Sequence, residues 1–286
     1  MTATVTGESL SGVTIDLAGL KATTDATGAF GFAWEANGHP VFGRADLTGP
    51  TILSRGLTIG TSTSRTIALD AIVLANGFDL DYYRKLVRDT ADAPDIVRSL
   101  RRWTRAPRVY LKTVDESNHP IDGTTLSLTE AALQDDATAW TGGRFGVAEV
   151  QRGNGSREGQ NGWITVKWPN PANEGNNCGR AQVGVEGGWI ELNYLNPACG
   201  CGGSRVAAGL VRHELGHALG FFHTNEEFDL MKPTLDPGAL CNGRASARER
   251  FHAAIAYSRP VGNTDPDSDP ASTIQRRDAD PVVIVD

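Results

Sequence analysis

Val13, Ile15 and Leu17 alternate with Thr14 and Asp16, the period of two expected of a half-buried strand. Asp25-Ala26-Thr27-Gly28 then reads as a turn, and Ala29 to Trp34 as a returning strand. Further short strands are expected near Val41 to Leu47, Thr51 to Ile59 and Thr66 to Leu74, so residues 1–74 read as a small all-β sandwich. From Phe78 to about Trp103 the period lengthens. Tyr82, Tyr83, Leu86 and Val87 recur at helical spacing, Pro94 interrupts, and Ile96, Val97 and Leu100 resume, which predicts a helical connector over residues 75–106. The basic run Arg98, Arg101, Arg102 and Arg105 within it reads as a solvated face.

Residues 107–261 mix both periods. Val109 to Val114, Phe145 to Val150, Trp163 to Trp168, Arg180 to Val185 and Trp189 to Tyr194 are expected strands. Ser127 and Glu130 form a capping-box pattern that opens a helix running to Trp140, with Leu133, Ala137 and Trp140 on one face and Gly142 past its end. Ser204 is expected to cap a later helix. Its Val206 and Leu210 share one face with His213 and His217, while Val211, Leu215 and Ala218 form another, so this helix should be buried. Ser246 to Tyr257 is a last helix, and residues 262–286 read as a tail. The fold class is therefore α/β, in the α+β sense, behind an all-β module.

Composition narrows the function. A net charge of -7 and a pI near 5.4 argue against a nucleic-acid partner. Nothing approaches the apolar run of about 20 residues that a membrane helix needs. The chain begins Met1-Thr2-Ala3-Thr4, with no signal peptide visible. Cys178, Cys199, Cys201 and Cys241 speak for the other side, since all lie around the histidine-bearing helix. Cys199 and Cys201 are too close to favour bonding each other, so each should reach Cys178 or Cys241. Two disulfides and an extracellular, secreted location are expected.

The chemistry lies in His213-Glu214-Leu215-Gly216-His217-Ala218-Leu219-Gly220-Phe221-Phe222-His223. On a helix His213 and His217 are neighbours one turn apart and can reach one metal ion. A helix continued to His223 would carry that side chain round the cylinder and away from the ion. Gly220 is placed where the chain must turn, and glycine ends a helix without a Cβ penalty. His223 can then return as a third ligand, leaving a fourth position open as catalytic zinc sites require. Glu214, beside a ligand, is placed as the general base for a metal-activated water.

These fixed residues resemble the zinc signature of the metzincin metalloproteases. Such a pattern arises by chance in a chain of this length on the order of once in ten thousand. A second element agrees with the resemblance. Asp229-Leu230-Met231-Lys232-Pro233 puts a methionine eight residues after His223, as in the methionine turn of the matrixin branch. Thr224 stands where many matrixins have serine, and no tyrosine follows Met231 as an extra ligand.

The resemblance implies a twisted mixed sheet and a zinc helix, one catalytic Zn2+, and hydrolysis of peptide bonds in extended protein or peptide substrates. In this family one sheet strand pairs with the substrate, and by order that edge is Arg180 to Val185. Thr234 to Gly243 should shape the pocket for the side chain after the scissile bond. The cysteine switch of matrixins is absent, because no cysteine precedes Cys178. A latent form would need a carboxylate such as Asp92 or Asp95 over the zinc. The stretch Gly12 to Phe30 resembles carboxypeptidase regulatory-like domains, a loose motif that suggests a spacer module.

Other features carry less. Asp265, Asp267 and Asp269 could bind Ca2+, but without the glycine and distant glutamate of a formed loop a solvated tail is expected. His39, His119 and His252 are isolated and not expected as ligands. A monomer is expected. The rival reading is a non-catalytic, zinc-containing adhesion or binding protein whose metal site is structural or blocked. Against it, structural zinc sites are normally closed by four protein ligands, and this motif supplies three and a base.

Overall fold

The amino-terminal alternation folds as an antiparallel sheet. The structure, a computed structural model, describes residues 1–32, 41–61, 66–75, 77–169, 177–271 and 281–286. Strand β1 (Thr2–Ala3) is followed by β2 (Thr14–Leu17), β3 (Leu20–Thr23), β4 (Val41–Thr48), β5 (Arg55–Thr61) and β6 (Asp70–Ala71). Four of them form a sheet in the order β3-β2-β4-β5, and β1 pairs with β6 in parallel. Ile15 and Leu17 of β2, Ala45 and Leu47 of β4, and Leu57 and Ile59 of β5 bury one face, as period two requires. Ala18 and Gly19 turn the chain between β2 and β3 with positive φ at both positions, the twist a two-residue hairpin favours. The expected strand over Ala29 to Trp34 does not form in residues 29–32, and Trp34 and His39 lie outside the described residues.

The connector is only partly helical. Helix α1 (Leu80–Arg88) is capped by the Asp79 side chain, which accepts from Tyr82 N, and it ends at Asp89 in the left-handed conformation. Beyond it the expected helical resumption is absent. Ile96 and Val97 are each 49% exposed, so no apolar face is there to drive a second helix. Leu100 and Trp103 are buried instead, and Trp103 Nε1 donates to Ala218 O at 2.8 Å. Of the basic run Arg105 is solvated, whereas Arg98, Arg101 and Arg102 are half-buried. Arg98 pairs with Asp89, Arg102 Nε donates to Arg259 O at 2.6 Å, and Arg105 pairs with Glu186.

The remaining strands are β7 (Arg108–Lys112), β8 (Glu149–Gly153), β9 (Trp163–Lys167), β10 (Gly179–Gln182), β11 (Trp189–Leu192) and β12 (Val283–Val285). They form one six-stranded mixed sheet in the order β12-β10-β11-β9-β7-β8. β8, β7, β9 and β11 run parallel to one another, whereas β10 is antiparallel to both β11 and β12. Val109 to Leu111 and Trp163 to Val166 are buried without alternation, the habit of strands covered on both faces.

Helix α2 (Gly123–Trp140) starts four residues before the expected Ser127 box. Asp122 accepts from Thr125 N at 2.9 Å and takes the capping role, leaving Ser127 inside the helix. Helix α3 (Ala208–Leu219) packs on α2, β10 and β11 and is buried from Gly209 to Leu219. Ser204 does not cap it. That hydroxyl donates to Val206 O at 2.7 Å, and Ala207 at the cap position offers no side-chain acceptor. Helix α4 (Pro237–Asn242) lies within the segment expected to shape a pocket, and α5 (Ala247–Tyr257) opens with a reciprocal capping box between Ser246 and Glu249. The two disulfides are Cys178–Cys199 and Cys201–Cys241. They staple the chain before β10 and the α4 segment to the loop leading into α3.

Residues 262–271 are not a solvated tail. Asp267 is buried against Arg259 at 2.8 Å, Asp269 pairs with Arg55, and Asp265 receives two bonds from Arg84. Arg259, fully buried, also reaches Asp70 at 2.6 Å. The aspartates that the sequence offered to solvent or calcium thus pair with arginines, and Arg55–Asp269 and Arg259–Asp70 tie the amino-terminal strands to the rest. No helix among the described residues is long and apolar enough to cross a membrane.

Candidate metal centre

His213 and His217 lie one turn apart on α3, and the helix stops where the chain must fold back. Gly220 has φ 115, and its N–H returns to the carbonyls of Gly216 and His217. A Cβ at this position would run into the Arg101 carbonyl, so glycine is required both by the turn and by the close approach of the connector. Phe221 and Phe222 are buried beyond it, and His223 returns to face the other two rings.

The segment around Met231 locks that return. Thr224 N donates to Met231 O at 2.7 Å, and Thr224 Oγ1, Tyr82 Oη and Ser246 Oγ all donate to Asp229. Met231 is fully buried, and a Cβ at Gly216 would meet its sulfur at 2.6 Å, so the turn lies directly beneath α3. Glu249 holds the turn from below by accepting from Leu230 N and Met231 N at 3.1 and 2.7 Å. Burial, with the Asp229 charge beside it, pushes the Glu249 carboxyl up to about 7 despite those bonds.

Each imidazole commits Nδ1 to a protein acceptor. His213 Nδ1 faces Leu230 O at 2.6 Å, His217 Nδ1 faces Phe221 O at 2.8 Å, and His223 Nδ1 faces Asp92 Oδ2 at 2.8 Å. The Nε2 atoms are therefore left as lone pairs, and they converge. His213 Nε2 and His217 Nε2 are 3.0 Å apart. Asp286 comes in from the opposite side, with Oδ1 2.6 Å from His223 Nε2 and Oδ2 3.2 and 3.5 Å from the Nε2 atoms of His213 and His217. His213, His217, His223 and Asp286 thus present one donor atom each, all within 4.8 Å, and this group could hold a metal ion.

The donor set fits a small divalent cation. Ligands about 2.0–2.1 Å from a tetrahedral centre stand roughly 3.3 Å from one another, close to the spacings seen. Two neutral imidazole lone pairs facing each other at 3.0 Å also need a cation or a proton between them. Glu214 strengthens the case. It is completely buried, with the carboxyl group of Asp286 as its neighbour. It lies against β10, where a Cβ on Gly179 would overlap its Oε1.

Electrostatics follow from this crowding. Burial raises the Glu214 carboxyl well above its usual range, and the charge of Asp286 and a hydrogen bond to it raise it further. Burial also pulls His217 down to about 4. For His223 burial acts downward too, but hydrogen bonds to Asp286 and Asp92 outweigh it and lift the ring to about 9. Burial would likewise raise Asp286, yet the three histidines hold it far below the carboxylate range.

Of the residues singled out in the sequence, His213, Glu214, His217, Gly220, His223 and Met231 come together here. Asp92 and Asp95 do not cover the histidines. Asp92 sits behind His223, and the covering carboxylate is Asp286, which belongs to no motif singled out in the sequence. The β-branched run Val282-Val283-Ile284-Val285 was the one signal that this end of the chain forms a strand. His252 is buried between Phe78 and Tyr82 as a packing residue, and His119 pairs with Asp115 at the surface.

No protein-family model matches the chain, and no curated protein matches its sequence. Among solved structures, metalloproteinase-II from Bacteroides fragilis is matched over 83% of this chain and 78% of that one, at 10% identity and a TM-score of 0.34.

Proposed function

We propose that this chain is a zinc-dependent endopeptidase of metzincin type, with a matrixin-like methionine turn, that hydrolyses peptide bonds in extended protein substrates. The observation that carries this reading is Glu214, a fully buried carboxyl group set beside three converging imidazole nitrogens and facing the carboxyl group of Asp286. A purely structural site gains nothing from a second carboxyl group buried beside the one that faces the histidines. A base awaiting a water and a substrate explains it.

In this reading His213, His217 and His223 hold one zinc ion through Nε2, and Leu230 O, Phe221 O and Asp92 fix their rings. Zinc bound there supplies Lewis acidity to the attacking water and to the scissile carbonyl. Glu214 accepts the proton of the attacking water and delivers it to the leaving amine. The substrate lies extended along β10 as an added strand. Residues 107–261 are the catalytic domain and residues 1–74 a spacer module joined by residues 75–106. The two disulfides favour a secreted, extracellular enzyme acting as a monomer.

The rival reading, a blocked or structural site in a binding protein, is favoured by one observation. Asp286 completes four protein donors, as structural zinc sites do. The two readings part on Glu214→Ala and His217→Ala, assayed for bound zinc and for peptide cleavage. Glu214→Ala should keep zinc and lose roughly 10²- to 10⁴-fold in cleavage, whereas His217→Ala should lose both. Unchanged cleavage in Glu214→Ala would sink the mechanism.

A further inference from the structure

The last described segment of the chain occupies the place that a substrate would need. β12 adds to the edge of β10 in antiparallel register, with Arg180 opposite Val285, Ala181 opposite Ile284 and Gln182 opposite Val283. The ladder extends past the strand at both ends. Asp286 N donates to Gly179 O at 2.9 Å, Cys178 N donates to Asp286 O at 2.7 Å, and Val183 N donates to Val282 O at 2.9 Å. Without this segment β10 would be an open edge, the feature that extended peptides recognise. At the end of the ladder Asp286 places one carboxylate across all three histidine Nε2 atoms, with its side chain 6% exposed.

We propose that residues 281–286 are an internal inhibitory strand, which fills the peptide groove and closes the metal position with Asp286 until a competing extended peptide, or cleavage of the segment, removes it. This rests on the endopeptidase reading above. Three imidazole nitrogens and one carboxylate oxygen complete a four-coordinate set, so neither a water nor a carbonyl oxygen has a position beside Glu214. The seat is light. Ile284 alone among the strand residues is buried, against Val183 and Phe222, while Val283 and Val285 are 41% and 50% exposed. The rest of the attachment is a partly buried Val282, the main-chain ladder and one carboxylate, and a peptide in the same groove reproduces the ladder in full. Displacement therefore trades one strand for another. The place of Ile284 also states what such a peptide should carry. It needs an apolar side chain two residues before the residue that faces the histidines.

The test uses the full chain, Asp286→Ala, and Ile284→Ser as a variant that loosens the strand without touching the histidine cluster. Each is loaded with cobalt(II) in place of zinc. The visible absorption spectrum reports the ligand set, and titration with a short peptide hydroxamate reports access to the metal. The expected result is a changed cobalt spectrum in Asp286→Ala, and hydroxamate binding at least about tenfold tighter than in the parent chain, with Ile284→Ser in between. Cobalt bound equally by all three, with one spectrum and one hydroxamate affinity, overturns the inhibitory strand and leaves the endopeptidase reading standing. No cobalt bound by any of them overturns both.

Discussion

Gly179 of β10 stands so close to Glu214 that a methyl group on its α-carbon would overlap the carboxylate. The proposed base is therefore positioned by the backbone of the strand that the proposed substrate joins. Gly179→Ala should push Glu214 aside without touching a histidine. Zinc content should stay near that of the parent, and peptide cleavage should fall by about 10²-fold, the effect of displacing a reacting group by roughly 1 Å. Parallel metal analysis and peptide assays check this, and equal loss of zinc would assign Gly179 to the fold instead.

Asp92 sits behind His223, accepting from Nδ1 at 2.8 Å, and so fixes which nitrogen faces inward. Asp92→Ala should weaken zinc binding by roughly 10- to 100-fold, as removal of such a partner does, while leaving the disulfides and the sheet intact. Competition with a zinc-chelating dye measures it.

Glu249 links α5 to the turn under the histidines through Leu230 N, Met231 N and Ser246 N. Glu249→Ala orphans two buried donors, Leu230 N and Met231 N, and one half-buried donor, Ser246 N, and the chain should lose about 3 kcal/mol of stability. A denaturant titration at neutral pH reads this loss. A midpoint unchanged from the parent would show that water replaces the carboxylate.

Asp70 makes acid stability a test of the link between the two sheets. Burial would raise its carboxyl, but Arg259, the Thr4 hydroxyl and Arg55 outweigh burial and lower it from 3.8 to about 2. A folded pKa below the unfolded one gives stability that is fully present above the unfolded value and lost as pH falls through the folded value. On the order of 2 kcal/mol should therefore disappear between roughly pH 4 and pH 2. Asp70→Asn should start less stable at neutral pH and lose less over that window. Urea midpoints of both chains across it give the comparison.

The histidine cluster was legible because its spacing is local. His213, Glu214 and His217 need only helical periodicity, and Gly220 needs only the geometric fact that His223 cannot otherwise return. The sheet was legible for the same reason, since runs such as Val109 to Leu111 are dictated by burial on both faces. What escaped is what depends on pairing across the chain. Asp122 outcompeted Ser127 as a cap only because the chain turns before it. Asp265, Asp267 and Asp269 looked like a solvated tail because their arginine partners, Arg84, Arg259 and Arg55, lie far away in sequence. Asp286 escaped for the same reason, since a carboxylate that reaches the histidines through strand pairing leaves no spacing to recognise.

The measurement that bears most directly on the account is digestion of a mixed peptide library by zinc-loaded Asp286→Ala, beside a chelated sample and the double variant with Glu214→Ala. Cleavage that both controls abolish is expected, at sites with an apolar residue upstream of the cut. A zinc-loaded, folded Asp286→Ala chain that accepts a hydroxamate yet cleaves no peptide would contradict it.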